Sequence, residues 1–158
     1  MISIQTEDFD PAEEYSRLKA TAADAGAIVI FTGLVREDHD HQDADGSPVK
    51  SLYLEHYAGM TEKSLQSIVD EAHTRWRLLA TRVIHRVGEL KPSDQIVLVG
   101  SASAHRQDAF EAAQFIMDFL KSKAPFWKKQ TTEQGSDWVE SRDSDAEAIE
   151  RWQKSVGD

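Results

Sequence analysis

The sequence predicts an α+β domain in two layers, with helices packed against a β-sheet. Between residues 51 and 132, the apolar pattern changes between the two-residue period of strands and the 3.6-residue period of helices. The resulting order is strand, helix, strand, strand, helix, strand, which is typical of a split βαβ arrangement with helices on one side. A chain of 158 residues with 40% hydrophobic content suits a single domain, residues 1–158, with a substantial core.

The first 35 residues predict one helix and one strand. Residues 1–25 are polar and acidic, and a short helix is expected to start after Asp10, with Pro11 at its first position. The run AIVIFTGLV, residues 27–35, is almost continuously apolar and rich in β-branched side chains. This composition indicates a buried strand.

A polar segment separates that strand from the next one. Residues 37–50 have no apolar periodicity and are filled with Asp, His, Gly, Ser and Pro, so we expect a long mobile loop within the domain. In residues 51–58, SLYLEHYA, Leu52, Leu54 and His56 alternate with polar or aromatic positions. That alternation has the period of a strand.

Two amphipathic helices are predicted further along the chain. The first follows Gly59, with Thr61 as its N-cap and with apolar residues at helical spacing up to Trp76. The second runs from about His105 to Lys123. Its apolar stripe is formed by Ala109, Ala113, Ile116 and Leu120. Pro125 disfavours helical geometry at the residue before it, so the helix should stop there.

The remaining predicted elements are strands and one closing helix. Residues 81–88 and 95–103 have the composition of strands joined by the turn ELKPSD. FWKKQTT and DWVES predict two short strands around Gly135, and DAEAIERWQK predicts a final helix.

Composition and charge exclude several classes of protein. There is no cysteine, so disulfides, thiolate metal sites and a cysteine nucleophile are excluded within this chain. The formal net charge of −10 disfavours broad contact with nucleic acid, although a small anion could still bind in a local basic pocket. With neither an evident signal sequence nor an apolar run of eighteen residues, the sequence predicts a cytoplasmic protein that is not inserted in a membrane.

Cationic side chains stand at positions suited to binding an anion. His105 and Arg106 lie in the first turn of a predicted helix, where unpaired N–H groups attract negative charge. Arg36 ends a strand beside the predicted loop. Alternatively, Arg106 pairs with a nearby acid such as Asp108, and Arg36 is an ordinary charge at the end of a strand.

A second cationic group lies in LKSKAPFWKKQ, residues 120–130. Lys121 falls at the edge of the apolar stripe, where a lysine can bury its stem and present its ammonium to a cleft. Alternatively, it and Lys123 only complement the negative end of the helix. Lys128 and Lys129 should point to opposite faces of a strand, so only one of them can join the same pocket.

The histidines away from that helix suggest weaker sites. His39 and His41, with neighbouring aspartates, are potential metal ligands. We expect no metal there, because no predicted rigid element holds them. His56 and His85 lie within predicted strands and are interpreted as hydrogen-bonded packing residues.

Several motifs together resemble the family of large, catalytic subunits of molybdopterin synthase. They include FTGLVRE, LYLEHYAGMTEKSLQSIVDEA, VIHRVGELKPSDQIVLVGSASAHRQDAFEAAQFIMDFLKSKAPFWKKQ and WVESRDSD, which occur in family-like order between Gly26 and Asp145. The resemblance implies a two-layer α/β hammerhead-like domain with a small antiparallel β appendage, to which we assign the strands near residues 31–57. Residues 1–25 and Leu34 depart from the family pattern.

The resemblance also implies an activity, partners and site residues. The activity is sulfur transfer that converts cyclic pyranopterin monophosphate to molybdopterin, without a resident cofactor. The sulfur arrives as a thiocarboxylate on the C-terminal Gly-Gly tail of a small ubiquitin-like subunit, in a heterotetramer built around a homodimer of the large subunit. The implied catalytic residues are Lys121 and Lys128, and the implied substrate-binding residues are Arg36, His105, Arg106 and Arg142.

Two other classes of function remain open at this point. One is a noncatalytic α+β module that binds an anion or a protein tail, and the other is a metal-dependent hydrolase that uses His39 and His41. Product formation without added metal would favour sulfur transfer over both of them.

Overall fold

The structure is a computed structural model that describes residues 1–36, 51–132, 135–139 and 143–154. The strands are β1 (Ile2–Gln5), β2 (Ala27–Leu34), β3 (Ser51–His56), β4 (Leu78–Arg86), β5 (Gly88–Leu90), β6 (Gln95–Ser103), β7 (Phe126–Thr132) and β8 (Gly135–Val139). The helices are α1 (Pro11–Thr21), α2 (Met60–Arg75), α3 (Arg106–Lys123) and α4 (Asp143–Lys154). Within these ranges, no helix has the length and apolar character needed to cross a membrane. The predicted loop 37–50 lies outside the described residues.

The strands form two four-stranded sheets instead of the one sheet expected for a split βαβ arrangement. The main sheet has the order β1-β4-β6-β2, and the second sheet has the order β5-β3-β7-β8. The single-sheet expectation was wrong because periodicity identifies strands but not their partners. Here β3 and β7 pair with each other and not with β4 or β6. The predicted two-layer α+β class with a small antiparallel sheet is confirmed.

Three strands differ from their predictions. β1 was not predicted, although it pairs in parallel with β4, because four residues are too few for a periodic signal. β5 was taken for part of a turn. β2 belongs to the main sheet and not to the appendage, and it is an edge strand whose Phe31 and Leu34 are 43% and 53% exposed.

The core lies between the main sheet and the helices α2 and α3. The predicted stripe of α3 is buried, with Ile116 and Ala109 fully so, and it packs with Val97 and Val99 of β6. α1 covers the opposite face of the sheet, where a Cβ at Gly100 would lie 2.5 Å from Leu18 Cδ1. Helix α1 begins as predicted, since Asp10 Oδ1 accepts a hydrogen bond from the Ala12 N–H at 2.9 Å.

Thr61 joins α2 to the beginning of β7. It was predicted as the N-cap of α2, but Gly59 holds that position and Thr61 is fully buried in the first turn. The Thr61 hydroxyl donates to the Pro125 carbonyl at 2.9 Å and accepts from the Tyr57 N–H at 3.0 Å. One buried hydroxyl therefore satisfies two backbone groups from distant parts of the chain.

Replacing Thr61 by Val tests this connection. The change keeps the shape of the side chain but leaves a partly buried carbonyl and a partly buried N–H without their partner, so the free energy of unfolding should fall by about 1–3 kcal/mol. Thr74→Val is the matched control, because the Thr74 hydroxyl only bonds to the Asp70 carbonyl within the exposed side of α2. Urea unfolding of the three proteins measures both effects, and equal losses for the two variants would contradict the assigned role.

Candidate functional site

Helix α3 carries predicted site residues at both of its ends. His105 is the N-cap and Arg106 the first residue, whereas Lys121 lies in the last turn. Fifteen residues separate Arg106 from Lys121, which corresponds to about 22 Å along the helix axis. Within one chain, the structure therefore does not bring His105 and Arg106 together with Lys121.

Arg36 lies at the Lys121 end of the main sheet. β2 runs antiparallel to β6, so that Leu34 is opposite Gln95 and Ala27 is opposite Ser103. The chain beyond β2 is held there because the Val35 N–H donates to the Asp94 carbonyl at 2.9 Å. Since α3 follows the other end of β6 and packs back along that strand, Arg36 lies far from His105.

The second sheet places Lys128 on the side that faces the end of α3. In the register of β3 and β7, Leu54 is opposite Lys128 and His56 is opposite Phe126, so these four residues share one face. Leu54 is buried on that face in a small apolar cluster. Lys129 is opposite Tyr53 on the other face, where Tyr53 is 41% exposed. The prediction that the two lysines point to opposite faces is confirmed.

His85 of β4 forms the buried floor between α3 and the second sheet. Its ring stacks on Phe126 with centroids 3.9 Å apart and planes inclined by 20°. Its Nδ1 lies 2.8 Å from the Arg86 carbonyl oxygen. Burial is the main cause that lowers the pKa of His85 to about 4, and the charges of His56 and Lys121 also lower it. The hydrogen bond to the Arg86 carbonyl acts in the opposite direction and raises this pKa. Lys121 is thus electrostatically coupled to this floor.

His56 and Glu62 form a polar pair at the border of the same region. His56 Nε2 lies 3.3 Å from Glu62 Oε1, and Glu62 Oε2 accepts a hydrogen bond from the Gly59 N–H at 2.6 Å. Hydrogen bonds from backbone N–H groups and the nearby His56 lower the pKa of Glu62. His56 and His85 are therefore hydrogen-bonded or packed as predicted, but the sequence did not predict that the charges of His56 and Lys121 both act on the buried His85. The alternation of β3 could have indicated the position of His56, because it puts His56 on the same strand face as the buried Leu54.

The amino end of α3 is open to an anion. His105 has extended backbone geometry and makes no side-chain capping bond, so the first-turn N–H groups of the helix are not capped by it. His105 and Arg106 are both exposed. Arg106 forms no ion pair with any residue that the structure describes, so the alternative that it pairs with Asp108 is wrong. This end therefore combines a positive helix terminus with two basic side chains.

Other predicted site residues lie outside the described part of the chain. These are Arg142 and the potential metal ligands His39 and His41. Among the residues that are described, no cluster of three or more His, Asp or Glu side chains could hold a metal ion.

Comparisons with known proteins identify close relatives. Residues 4–123 match the family model described as MoaE protein. The molybdopterin synthase catalytic subunit of Vibrio cholerae serotype O1 is 53% identical over 152 residues, which cover 96% of this chain and 97% of that protein. A solved structure described as the molybdopterin biosynthesis MoaE protein of Burkholderia ambifaria MC40-6 superposes with a TM-score of 0.82 at 45% identity, over 97% of each chain.

A second solved structure shows the same fold at lower identity. It is described as molybdopterin synthase from Staphylococcus aureus and superposes with a TM-score of 0.76 at 36% identity. The match covers 87% of this chain and 96% of that one.

The buried His85 should make the protein sensitive to mild acid. Its pKa is about 4 in the folded chain and 6.5 when unperturbed, so between these values the unfolded chain binds the additional proton. The free energy of unfolding should therefore fall as the pH is lowered, by about 2 kcal/mol from this group between pH 7 and pH 5. Urea unfolding at both pH values, compared with His85→Gln, measures this contribution. An equally steep pH dependence in the variant would contradict it.

Proposed function

The chain belongs to the MoaE protein family, and on this premise we propose that it is the catalytic subunit of a molybdopterin synthase. It converts cyclic pyranopterin monophosphate to molybdopterin by transferring two sulfur atoms from the C-terminal thiocarboxylate of a small ubiquitin-like carrier subunit. The observation that carries the proposal is the convergence of Lys121, Lys128 and Arg36 at one end of the main sheet.

The residue types fit the charges of the reactants. A thiocarboxylate tail and a cyclic phosphate are both anions, and lysine and arginine are the side chains that bind such groups by charge-assisted hydrogen bonds. Lys121 and Lys128 neutralise the incoming thiocarboxylate and the negative charge that develops as its sulfur attacks the substrate. As the carbon–sulfur bond forms, a carbon–oxygen bond of the attacked carbon breaks and its oxygen leaves with a proton. Water then cleaves the bond between sulfur and the carrier's carbonyl carbon, which releases the carrier as a carboxylate and leaves the sulfur on the substrate.

The phosphate site is completed by a second copy of the chain. His105 and Arg106 suit a phosphate, but α3 holds them about 22 Å from Lys121 of their own chain. In a two-fold symmetric dimer, the amino end of α3 in one copy can lie beside the carboxyl end of α3 in the other. Arg36 joins the lysines from within the same chain, and we propose Arg142 as a further phosphate ligand.

The wider assembly follows from the same proposal. Two copies of the chain form the central homodimer, and one carrier subunit binds to each copy, which gives a heterotetramer. Residues 1–158 act as one domain, and the half-sulfurated intermediate stays bound while one spent carrier is exchanged for the next. We also place the reaction in the cytoplasm, where the reducing environment preserves a thiocarboxylate and the dithiolene product.

A reconstituted reaction tests the proposed function. The purified chain, mixed with cyclic pyranopterin monophosphate and a thiocarboxylated small subunit, should form dithiolene-bearing molybdopterin without added metal. If the carrier binds but no product forms, the chain is a noncatalytic module for protein tails. If product forms only after a metal is added, the metal-dependent alternative is supported instead.

Single lysine substitutions test the two assigned catalytic residues. Lys121→Ala and Lys128→Ala should each reduce kcat by about 100-fold or more, because each removes a cation that faces the reacting sulfur. Lys123→Ala and Lys129→Ala are the matched controls and should stay within about twofold of the unchanged chain. Initial rates in the reconstituted reaction measure the effects, and comparable losses at Lys128 and Lys129 would refute the assignment by strand face.

Mixed dimers test whether the pocket is shared between two copies. Lys121→Ala and Arg106→Ala should each be nearly inactive alone. If each pocket combines Lys121 of one copy with Arg106 of the other, random mixing of the two variants should restore about a quarter of the original activity, since half of the dimers then carry one intact pocket. No recovery after confirmed subunit exchange would show that both residues act within one chain.

A further inference from the structure

One nitrogen atom of the His85 ring has no hydrogen-bond partner in the part of the chain that the structure describes. The Arg86 carbonyl can only accept a hydrogen bond, so Nδ1 carries the proton that it receives, and Nε2 of the neutral ring is an acceptor. His85 is only 6% exposed, and no donor from the described residues reaches Nε2. Buried polar atoms are nearly always hydrogen-bonded, so this nitrogen should receive a donor from a group that approaches the site.

The position of His85 singles out that donor. Its ring stacks on Phe126, which follows Lys121 by only five residues across the tight turn at Ala124. The titratable groups around the ring are Lys121 on α3, Lys128 on the same face of β7 as Phe126, His56 on β3 and, beyond His56, Glu62 on α2. Glu62 is acceptor-only when ionised, and His56 is already directed to Glu62. Lys128 already has an interaction partner, so Lys121 is the nearby group whose protons can be donated to Nε2.

We propose that His85 is a positioning residue for sulfur transfer, whose Nε2 accepts a hydrogen bond from the Lys121 ammonium group. The bond fixes one of the three N–H donors of Lys121 and leaves two for the thiocarboxylate and the substrate. Lys121 is exposed and its side chain can change rotamer rapidly, so the bond forms in solution by a rotation of that side chain. The inference rests on the proposed function, in which Lys121 faces the reacting sulfur.

The electrostatics of the floor agree with this role. A histidine with a pKa of about 4 is neutral at pH 7, so it accepts a hydrogen bond from the ammonium and does not repel it. A lysine on a flexible stem would otherwise sample many positions, and an acceptor on a buried and stacked ring restricts it to one.

Two substitutions separate the acceptor from the rest of the ring. His85→Asn keeps an amide group near the position of Nδ1, where it can still donate to the Arg86 carbonyl, but it has no acceptor at the position of Nε2. His85→Gln places its amide near Nε2 and can accept from Lys121. We expect His85→Asn to lower kcat by roughly 10- to 100-fold with KM for the precursor within about twofold, and His85→Gln to retain most of the rate.

A second readout distinguishes positioning from support of the fold. A hydrogen bond to a buried ring restricts the lysine side chain, so its loss should lower the order parameter of the Lys121 side chain in His85→Asn but not in His85→Gln. NMR relaxation of isotope-labelled lysines measures this without any turnover. His73→Asn is the matched control, because the His73 ring bonds to Thr81 in the first half of β4 and its loss should change neither kcat nor the Lys121 order parameter.

The outcomes separate this inference from the proposed function. If the unchanged chain forms product and His85→Asn matches its rate, or if both variants leave the Lys121 order parameter unchanged, His85 does not position Lys121. If the unchanged chain forms no product, the proposed function is wrong, and the Lys121 order parameter in His85→Asn still decides whether the hydrogen bond exists.

Discussion

The candidate site depends on how the chain leaves helix α3 at Pro125. A proline disfavours helical geometry at the residue before it, so the chain turns at Ala124 and enters β7 directly. Three contacts hold this turn: the Phe126 N–H donates to the Ala124 carbonyl, the buried Thr61 hydroxyl donates to the Pro125 carbonyl, and the Phe126 ring stacks on His85. Lys121 before the turn and Lys128 after it are thereby held on the same side of the molecule.

The same turn explains the electrostatic character of the site. The stack on Phe126 removes His85 from water, and burial keeps its ring neutral beneath a cationic lysine. Positive charge is therefore concentrated at the mouth of the site and not in its floor. This arrangement suits two anionic reactants, because cationic side chains at the mouth of the site can interact with both of them.

Much of this arrangement could be predicted from the sequence, and the exceptions have physical causes. The apolar stripe and the proline gave the bounds of α3, and strand alternation separated Lys128 from Lys129. The pairing of β3 with β7 could not be predicted, since periodicity carries no information on which strands are neighbours. The distance of about 22 Å between Arg106 and Lys121 follows from helix geometry alone. The sequence could not show which of these two residues lies near Arg36, because that depends on the pairing of β2 with β6.

The register of β3 and β7 makes the spacing of the chain after Pro125 as important as its composition. Side chains alternate strictly along a strand, so one residue inserted between Pro125 and Trp127 would exchange the faces of both lysines and of Trp127. Lys129 would then occupy the face of Lys128, but about 7 Å further along the strand from the turn. The segment should therefore tolerate many substitutions in evolution but very few changes in length.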